Sequence, residues 1–310
     1  MTMSHALRTL WIGTYPVAGQ GSATGVGEGL WRTQLDAETG CLTPPRQVVQ
    51  TAAPSFLVFG EVPDLLYAVR ESPEGALTTL RLTGGGAEIL AEVPSGGAHP
   101  CHRVFDKALH SLVVANYTSG TLSVIEGGSN GHPHRTGPVQ VIEFEGSGPV
   151  PVRQTSAHPH FVLPTPDGRH ILVVDLGGDV IRRFGRDLSE RRLVDDGVAV
   201  YLPRGSGPRH AAFSRDGRRL YVSGEFDAQL HTVEWDTASA SGHVVASAPS
   251  LPVRSSEFGA RTHHCGRRQS SRWGARCRCA RRAPPRHRRR NHVSRGASPA
   301  GFLAAAPCGH

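Results

Sequence analysis

Apolar residues along this chain fall in short runs, without the three- and four-residue spacing of an amphipathic helix. Four of these runs keep a fixed distance from a proline. Leu66-Tyr67-Ala68-Val69 begins twelve residues after Pro54, and Leu112-Val113-Val114-Ala115 begins twelve after Pro100. Ile171-Leu172-Val173-Val174 and Leu220-Tyr221-Val222-Ser223 stand at the same distance from Pro159 and Pro208. The four prolines are 46, 59 and 49 residues apart. Within the later copies, Pro166-Asp167-Gly168-Arg169 and Arg215-Asp216-Gly217-Arg218 are tight-turn sequences between β-rich segments, so each unit of twelve reads as a hairpin. Further alternating segments follow, such as Ala76–Leu82 and Gln229–Trp235, separated by Gly, Asp and Ser. Four short strands every ~45–50 residues is the period of a propeller blade. A β-sandwich has no reason to repeat one proline-to-run distance four times. The pattern predicts an all-β chain, a β-propeller of four-stranded antiparallel blades, with about five blades in residues 1–260.

The ordered motifs carry a family resemblance as well. They are Gly13-Thr14-Tyr15, Leu66–Val69 with Glu71, Pro100-Cys101-His102, and Ala115-Asn116-Tyr117 with Ser119-Gly120. Arg153-Gln154 with His158-Pro159-His160, Pro166-Asp167-Gly168, Asp175-Leu176-Gly177 with Asp179, and Gly207-Pro208-Arg209-His210 complete the set. This series resembles that of the seven-bladed lactonase family, which includes 6-phosphogluconolactonases and is similar to the fungal carboxy-muconate cyclases. The resemblance implies a sugar lactone hydrolase that needs no metal or organic cofactor, with 6-phosphogluconolactone as the leading substrate. Two other readings stay open, a muconate-type lactonising cyclase using the same funnel and a non-catalytic interaction scaffold, because fold alone does not give function.

In an antiparallel hairpin the start of the first strand and the end of the second share one edge. The strand starts bring His102, His158, His160, Arg209 and His210 to that edge, and the strand ends bring Glu71, Asn116, Asp175 and Glu225. Arg153 enters from the loop before Pro159. Opening a lactone requires a base to activate water and cationic or N–H donors to stabilise the oxyanion. Glu225 with His160 is the candidate base and partner. Arg209 and Arg153 suit the oxyanion and an anionic substituent, which a guanidinium grips in bidentate fashion. His102, His158, His210, Glu71, Asn116 and Asp175 are the candidate pocket lining. Structural competitors exist for several of these: His102 and His210 could hydrogen-bond a neighbouring blade, and Asp175 could cap backbone N–H groups. His158 and His160 alternate along one strand, but no third ligand follows at a suitable spacing and no metal is expected.

Charge divides the chain in two. Of 34 basic residues, 13 arginines lie in residues 261–310, which hold no acidic residue, leaving 21 basic against 26 acidic side chains and a net charge of −5 on residues 1–260. The body offers no basic surface of the kind that nucleic acid or an anionic membrane attracts. Its two cysteines imply no disulfide framework, and no stretch approaches the ~20 apolar residues of a membrane span. A soluble, cytoplasmic protein acting on a small anionic sugar lactone is expected.

A seven-bladed ring needs roughly 330 residues at this period, so two blades are lacking. Ser255-Ser256-Glu257-Phe258 opens like a sixth blade, yet twelve residues after Ser255 stands Arg267-Arg268-Gln269 where an apolar run belongs. The Arg-rich tail at 261–310 is expected to be disordered and out of frame. The body uses Lys107 beside 20 arginines. That bias indicates GC-rich coding DNA, which in a wrong frame encodes chiefly Arg, Ala, Gly, Pro and Cys. The alternative is a natural basic extension that binds nucleic acid. His263, His264, Cys265, Cys277 and Cys279 have zinc-ligand chemistry but no paired Cys-x-x-Cys spacing, and are not read as a site. Without the closing blades, Leu10–Thr14 lacks a partner strand, and the chain as written is expected to be a poor enzyme. Translating the coding DNA beyond residue 258 in both shifted frames is expected to restore a blade pattern; its absence from both would leave the basic extension as the reading.

Overall fold

The computed structural model describes residues 7–15, 29–60, 62–127 and 137–250, in which every helix or strand element is a strand. The strands form five antiparallel sheets in chain order. The first contains β1 (Leu7–Ile12), β2 (Leu30–Asp36) and β3 (Arg46–Val49). The second contains β4 (Leu57–Phe59), β5 (Leu65–Arg70), β6 (Ala76–Leu82) and β7 (Ala87–Pro94). The third contains β8 (Pro100–Asp106), β9 (Ser111–Asn116), β10 (Thr121–Glu126) and β11 (Gln140–Glu143). The fourth contains β12 (Pro159–Pro164), β13 (Ile171–Asp175), β14 (Val180–Asp187) and β15 (Arg192–Tyr201). The fifth contains β16 (Pro208–Phe213), β17 (Arg219–Gly224), β18 (Gln229–Asp236) and β19 (Ser241–Pro249). Each sheet is a meander, as the repeat predicts for a propeller blade.

The Asp-Gly turns form as read. Gly168 and Gly217 both take φ of +69°, and the Asp167 and Asp216 carboxylates accept the backbone N–H two residues on. The first sheet departs from the four-strand expectation. Its β1 pairs with β2 and is followed by Gly13-Thr14-Tyr15 as β9 is followed by Tyr117, so β1 occupies a second-strand position. Among the described residues no strand lies on its other edge.

Sheets pack face to face through one apolar layer per junction. Leu30 meets Leu66, Ala68 and Leu80 between the first two sheets. Tyr67, Val69 and Leu77 meet Leu112, Val114 and Ile125 at the next junction. Val113, Leu122 and Val124 then meet Ile171, Val173 and Phe184. Leu172, Val174 and Ile181 meet Leu220, Val222 and Trp235 between the fourth and fifth sheets. Central strands covered on both faces are continuously buried, as β9 and β13 are. By contrast, β17 alternates, with Leu220 and Val222 buried and Tyr221 exposed, because one face alone is covered by described residues.

The tail, with Ser255, Glu257 and the His263–Cys279 group, lies outside the described residues. No helix among the described residues is long and apolar enough to cross a membrane. Leu172 has no exposed surface and sits at the fourth junction, so Leu172→Ala is expected to cost about 2–5 kcal/mol in chemical denaturation. Tyr201, at 72% exposure, is expected to tolerate Tyr201→Ser within about 0.5 kcal/mol. Equal costs would mean that the junctions do not hold the sheets together.

Candidate active site

The edge that the hairpins share is drawn together by one repeated backbone bond. The N–H of Glu71 donates to the carbonyl of Ala53, Tyr117 to His99, Leu176 to His158, and Glu225 to Gly207. Each acceptor immediately precedes a repeat proline, and each donor lies seventeen residues after that proline. The structurally equivalent strand-end positions are therefore Glu71, Tyr117, Leu176 and Glu225. The reading from sequence had Glu71 and Glu225 in register but took Asn116 and Asp175, one residue early. A one-residue slip in a strand turns the side chain to the opposite face.

Asn116 and Asp175 are accordingly buried and committed to structure. The Asn116 amide donates to Thr121 Oγ1 at 3.1 Å and Ser123 Oγ at 3.0 Å. Asp175 Oδ1 accepts the N–H groups of His158, Gly177 and Gly178, while Oδ2 pairs with Arg182 at 2.9 Å. Neither lines a pocket.

The residue after three of the four repeat prolines is re-aimed by a register shift. Bulges fall between Pro100 and His102, Pro159 and Phe161, and Pro208 and His210, placing Cys101, His160 and Arg209 on the extra residue. This also removes the expected alternation of His158 and His160 on one strand. His158 precedes the strand; its ring stacks on Tyr117 with centroids 4.6 Å apart, and its Nδ1 lies 2.9 Å from the Tyr117 carbonyl oxygen.

Glu225 anchors the polar cluster. Its Oε1 accepts from Arg153 Nη2 at 2.5 Å, and its Oε2 pairs with Arg209 Nε at 3.0 Å. Arg153 also donates to the Tyr117 hydroxyl at 3.3 Å and lies over the Phe226 ring. The loop that carries Arg153 is fastened by buried Gln154, which donates to the Leu176 carbonyl and to Asp179. Asp179 also accepts the N–H groups of Gly205 and Gly207, fixing the approach to Arg209. Glu225 and His160 do not contact each other. The expected base–partner pair is therefore not formed, because both carboxylate oxygens face guanidinium groups.

Beneath the cluster, rings from four sheets pack in sequence, each tilted against the next. Phe56, His102, Phe161 and His210 have successive centroid distances of 4.3, 3.8 and 5.0 Å. His102 Nδ1 accepts the Val162 N–H at 3.2 Å, which makes it a floor residue tied to the next blade. His160 packs against His210 at 5.2 Å and against the edge of Tyr117. Burial pushes the His102 and His160 imidazoles well below their usual range, with neighbouring positive charge adding to the effect. His210 is lowered to about 4, by burial and then by Arg209. Cys101 is buried and its thiol is pushed up, chiefly by desolvation.

A second carboxyl stands at the equivalent position in the second sheet. Glu71 Oε2 accepts from the Tyr15 hydroxyl at 2.7 Å and from Ser55. Burial raises its pKa, and this outweighs the lowering by Ser55, Tyr15, His99 and Arg209. Tyr15 and Tyr117 stood within the motifs of the resemblance, but neither they nor Ser55 and Phe226 were read from sequence as site residues. Counting one and seventeen residues from each proline would have found Ser55 and Tyr117.

Comparison with known proteins identifies the family to which the fold belongs. The family model described as lactonase, seven-bladed β-propeller matches residues 9–264. The chain belongs to the lactonase family of seven-bladed β-propellers. Among lactonase-family relatives, it is 25% identical over 245 residues to the 6-phosphogluconolactonase of Bacillus subtilis, covering 78% of this chain and 66% of the relative. It is 29% identical over 187 residues to the 6-phosphogluconolactonase of Formosa agariphila, covering 57% and 51%. The solved structure of the periplasmic gluconolactonase of Pseudomonas aeruginosa superposes with a TM-score of 0.71 at 28% identity, covering 80% of this chain and 69% of that one. The chain thus spans half to two thirds of the length of these two curated relatives.

The buried imidazoles of this lactonase-family chain set a pH dependence. They remain neutral when folded, whereas an unfolded chain protonates them below about pH 6.5. A depressed folded pKa contributes stability above the unfolded value and loses it as pH falls. The slope is up to about 1.4 kcal/mol per pH unit per imidazole between pH 6.5 and the folded value. Denaturation midpoints are expected to fall from pH 6.5 toward pH 4, and less steeply in His210→Asn. An unchanged slope in that variant would remove His210 from the account.

Proposed function

We propose that this protein hydrolyses sugar lactones, with 6-phosphogluconolactone as the leading substrate, and does so without a metal or organic cofactor. The observation that carries the reading is the Arg153–Glu225–Arg209 cluster, set at the hairpin edge above a floor of aromatic rings and neutral imidazoles. Two guanidinium groups held by one carboxylate keep a net positive charge at the hairpin edge. That charge suits the oxyanion of the tetrahedral intermediate or an anionic substituent on the sugar. Arg153 and Arg209 remain 47% and 36% exposed, so their donors are reachable by a ligand. Relatives named 6-phosphogluconolactonase and gluconolactonase support the substrate class.

Hydrolysis adds water across the ring ester. Glu225 fixes both arginines, and the ring floor excludes water from one side, where fixed dipoles and charges act more strongly than in bulk solvent. A cytoplasmic setting is part of this reading, since the scattered cysteines of the body form no disulfide framework of the kind oxidising compartments favour; Cys101 is a buried thiol within weak hydrogen-bonding reach of the His160 carbonyl.

The test is turnover by the full chain of 6-phosphogluconolactone, glucono-δ-lactone and muconolactone, corrected for spontaneous opening. Phosphorylated lactone is expected to react fastest, and Arg209→Met is expected to lower kcat/KM by about 100-fold or more. Turnover of muconolactone alone would assign the cyclase chemistry; because the lacking blades predict a poor enzyme as written, the frame-restored chain is assayed beside it, and no turnover of any lactone by either would leave an interaction scaffold.

A further inference from the structure

The fixed repeat places two carboxyl groups at one position in two different blades, with opposite surroundings. Glu225 and Arg209 stand seventeen residues and one residue after Pro208; Glu71 and Ser55 stand seventeen residues and one residue after Pro54. Blade five therefore carries an arginine–carboxylate pair where blade two carries a serine–carboxyl pair. Glu225 has each oxygen committed to a guanidinium. Glu71 receives both of its hydroxyl donors on Oε2, and Oε1 accepts no hydrogen bond from the described residues.

The cradle is assembled from distant parts of the chain. Tyr15 is contributed by the first sheet, and it reaches Glu71 because the backbone at Gly13 passes against Pro54: a Cβ at Gly13 would lie 1.9 Å from the Pro54 carbonyl oxygen. The Glu71 backbone is pinned by its bond to Ala53. The titratable or charged groups acting on it are Tyr15 from the segment after β1, His99 just before β8, Cys101 on β8 and Arg209 on β16.

We propose that Glu71, positioned by Tyr15 and Ser55, is the general base that takes the proton from the attacking water, while Glu225 serves to hold Arg153 and Arg209. This role rests on the lactonase reading above. As the water oxygen bonds to the lactone carbonyl carbon, its proton passes to Glu71, and the carbonyl oxygen becomes the oxyanion. Collapse re-forms the carbonyl and breaks the ring C–O bond, and the departing ring oxygen takes the proton back from Glu71. The net change is addition of one water, with Glu71 returned to its starting state. A carboxyl raised by burial sits nearer the working pH than an exposed one, which favours proton transfer in both directions.

The experiment measures kcat and KM against pH for the full chain on 6-phosphogluconolactone, in wild type, Glu71→Gln, Tyr15→Phe and Ser55→Ala. Glu71→Gln is expected to lower kcat by about 100-fold or more with KM within about threefold. A base is active when deprotonated, so kcat falls as pH drops through the Glu71 pKa. Tyr15 and Ser55 each lower that pKa by donating to the carboxylate. Removing either hydroxyl is therefore expected to move the acid limb to higher pH, which a purely structural contact would not do. Activity of Glu71→Gln close to wild type, or an acid limb unmoved in both hydroxyl variants, overturns the assignment even if Glu71→Gln misfolds. The same variants are measured in the frame-restored chain, since the lacking blades predict a poor enzyme as written; no lactone opened by either parent removes the functional reading and this role together, and an active parent with Glu71→Gln unimpaired removes only the role of Glu71.

Discussion

A single backbone hydrogen bond, from the N–H seventeen residues after each repeat proline to the carbonyl just before that proline, recurs in four of the five sheets. It closes the open end of the hairpin between the first two strands, and both ends of that clasp carry the chemistry. With the clasp made, the bulged residue after the proline and the donor residue itself project beside one another at the edge of the sheet. Arg209 beside Glu225 follows from this constraint, and Ser55 beside Glu71 stands at the same distances from its proline in a sheet whose first strand pair carries no bulge. The loop carrying Arg153 needs separate fastening, which buried Gln154 and Asp179 provide.

The junctions between sheets supply the rigidity that such a clasp requires. Each is an apolar layer of Leu, Val, Ile and aromatic side chains, and close packing of that kind resists small displacements. Charge crosses a junction where it is paired. Asp106 of the third blade, almost fully buried, holds Arg186 of the fourth at 2.6 Å and also accepts the Leu109 N–H. A buried ion pair of this type adds little net stability, but loss of one partner would strand the other charge. Between the junctions and the hairpin edge lies the row of tilted rings of Phe56, His102, Phe161 and His210, where neutral imidazoles fill an apolar layer without introducing charge.

The electrostatic contrast at the mouth follows from the same repeat. Identical backbone positions in blades two and five hold carboxyl groups, and the neighbouring side chain decides their state. Beside two arginines a carboxylate has both oxygens in ion pairs; beside two hydroxyls, the other has its pKa raised by burial.

Much of this was legible along the chain. The twelve-residue distance from proline to apolar run is a hairpin, and its recurrence identified the blades, the Asp-Gly turns and the strands that meet at the mouth. Local steric and hydrophobic rules suffice for these features, because each depends on neighbours within a few residues. The sequence also brought Glu71, Arg153, His160, Arg209, His210 and Glu225 to one end of the sheets. It misplaced Asn116 and Asp175 by one residue, since the parity of a side chain at a strand end depends on the pairing register and on the bulge opposite. Partner choice lay beyond it for the same kind of reason. Tyr15 and Glu71 are 56 residues apart, and Arg153 and Glu225 are 72 apart. Only the packing of sheet on sheet brings such groups within hydrogen-bonding distance, and only burial by those sheets decides which carboxyl is locked in ion pairs and which is held among hydroxyls.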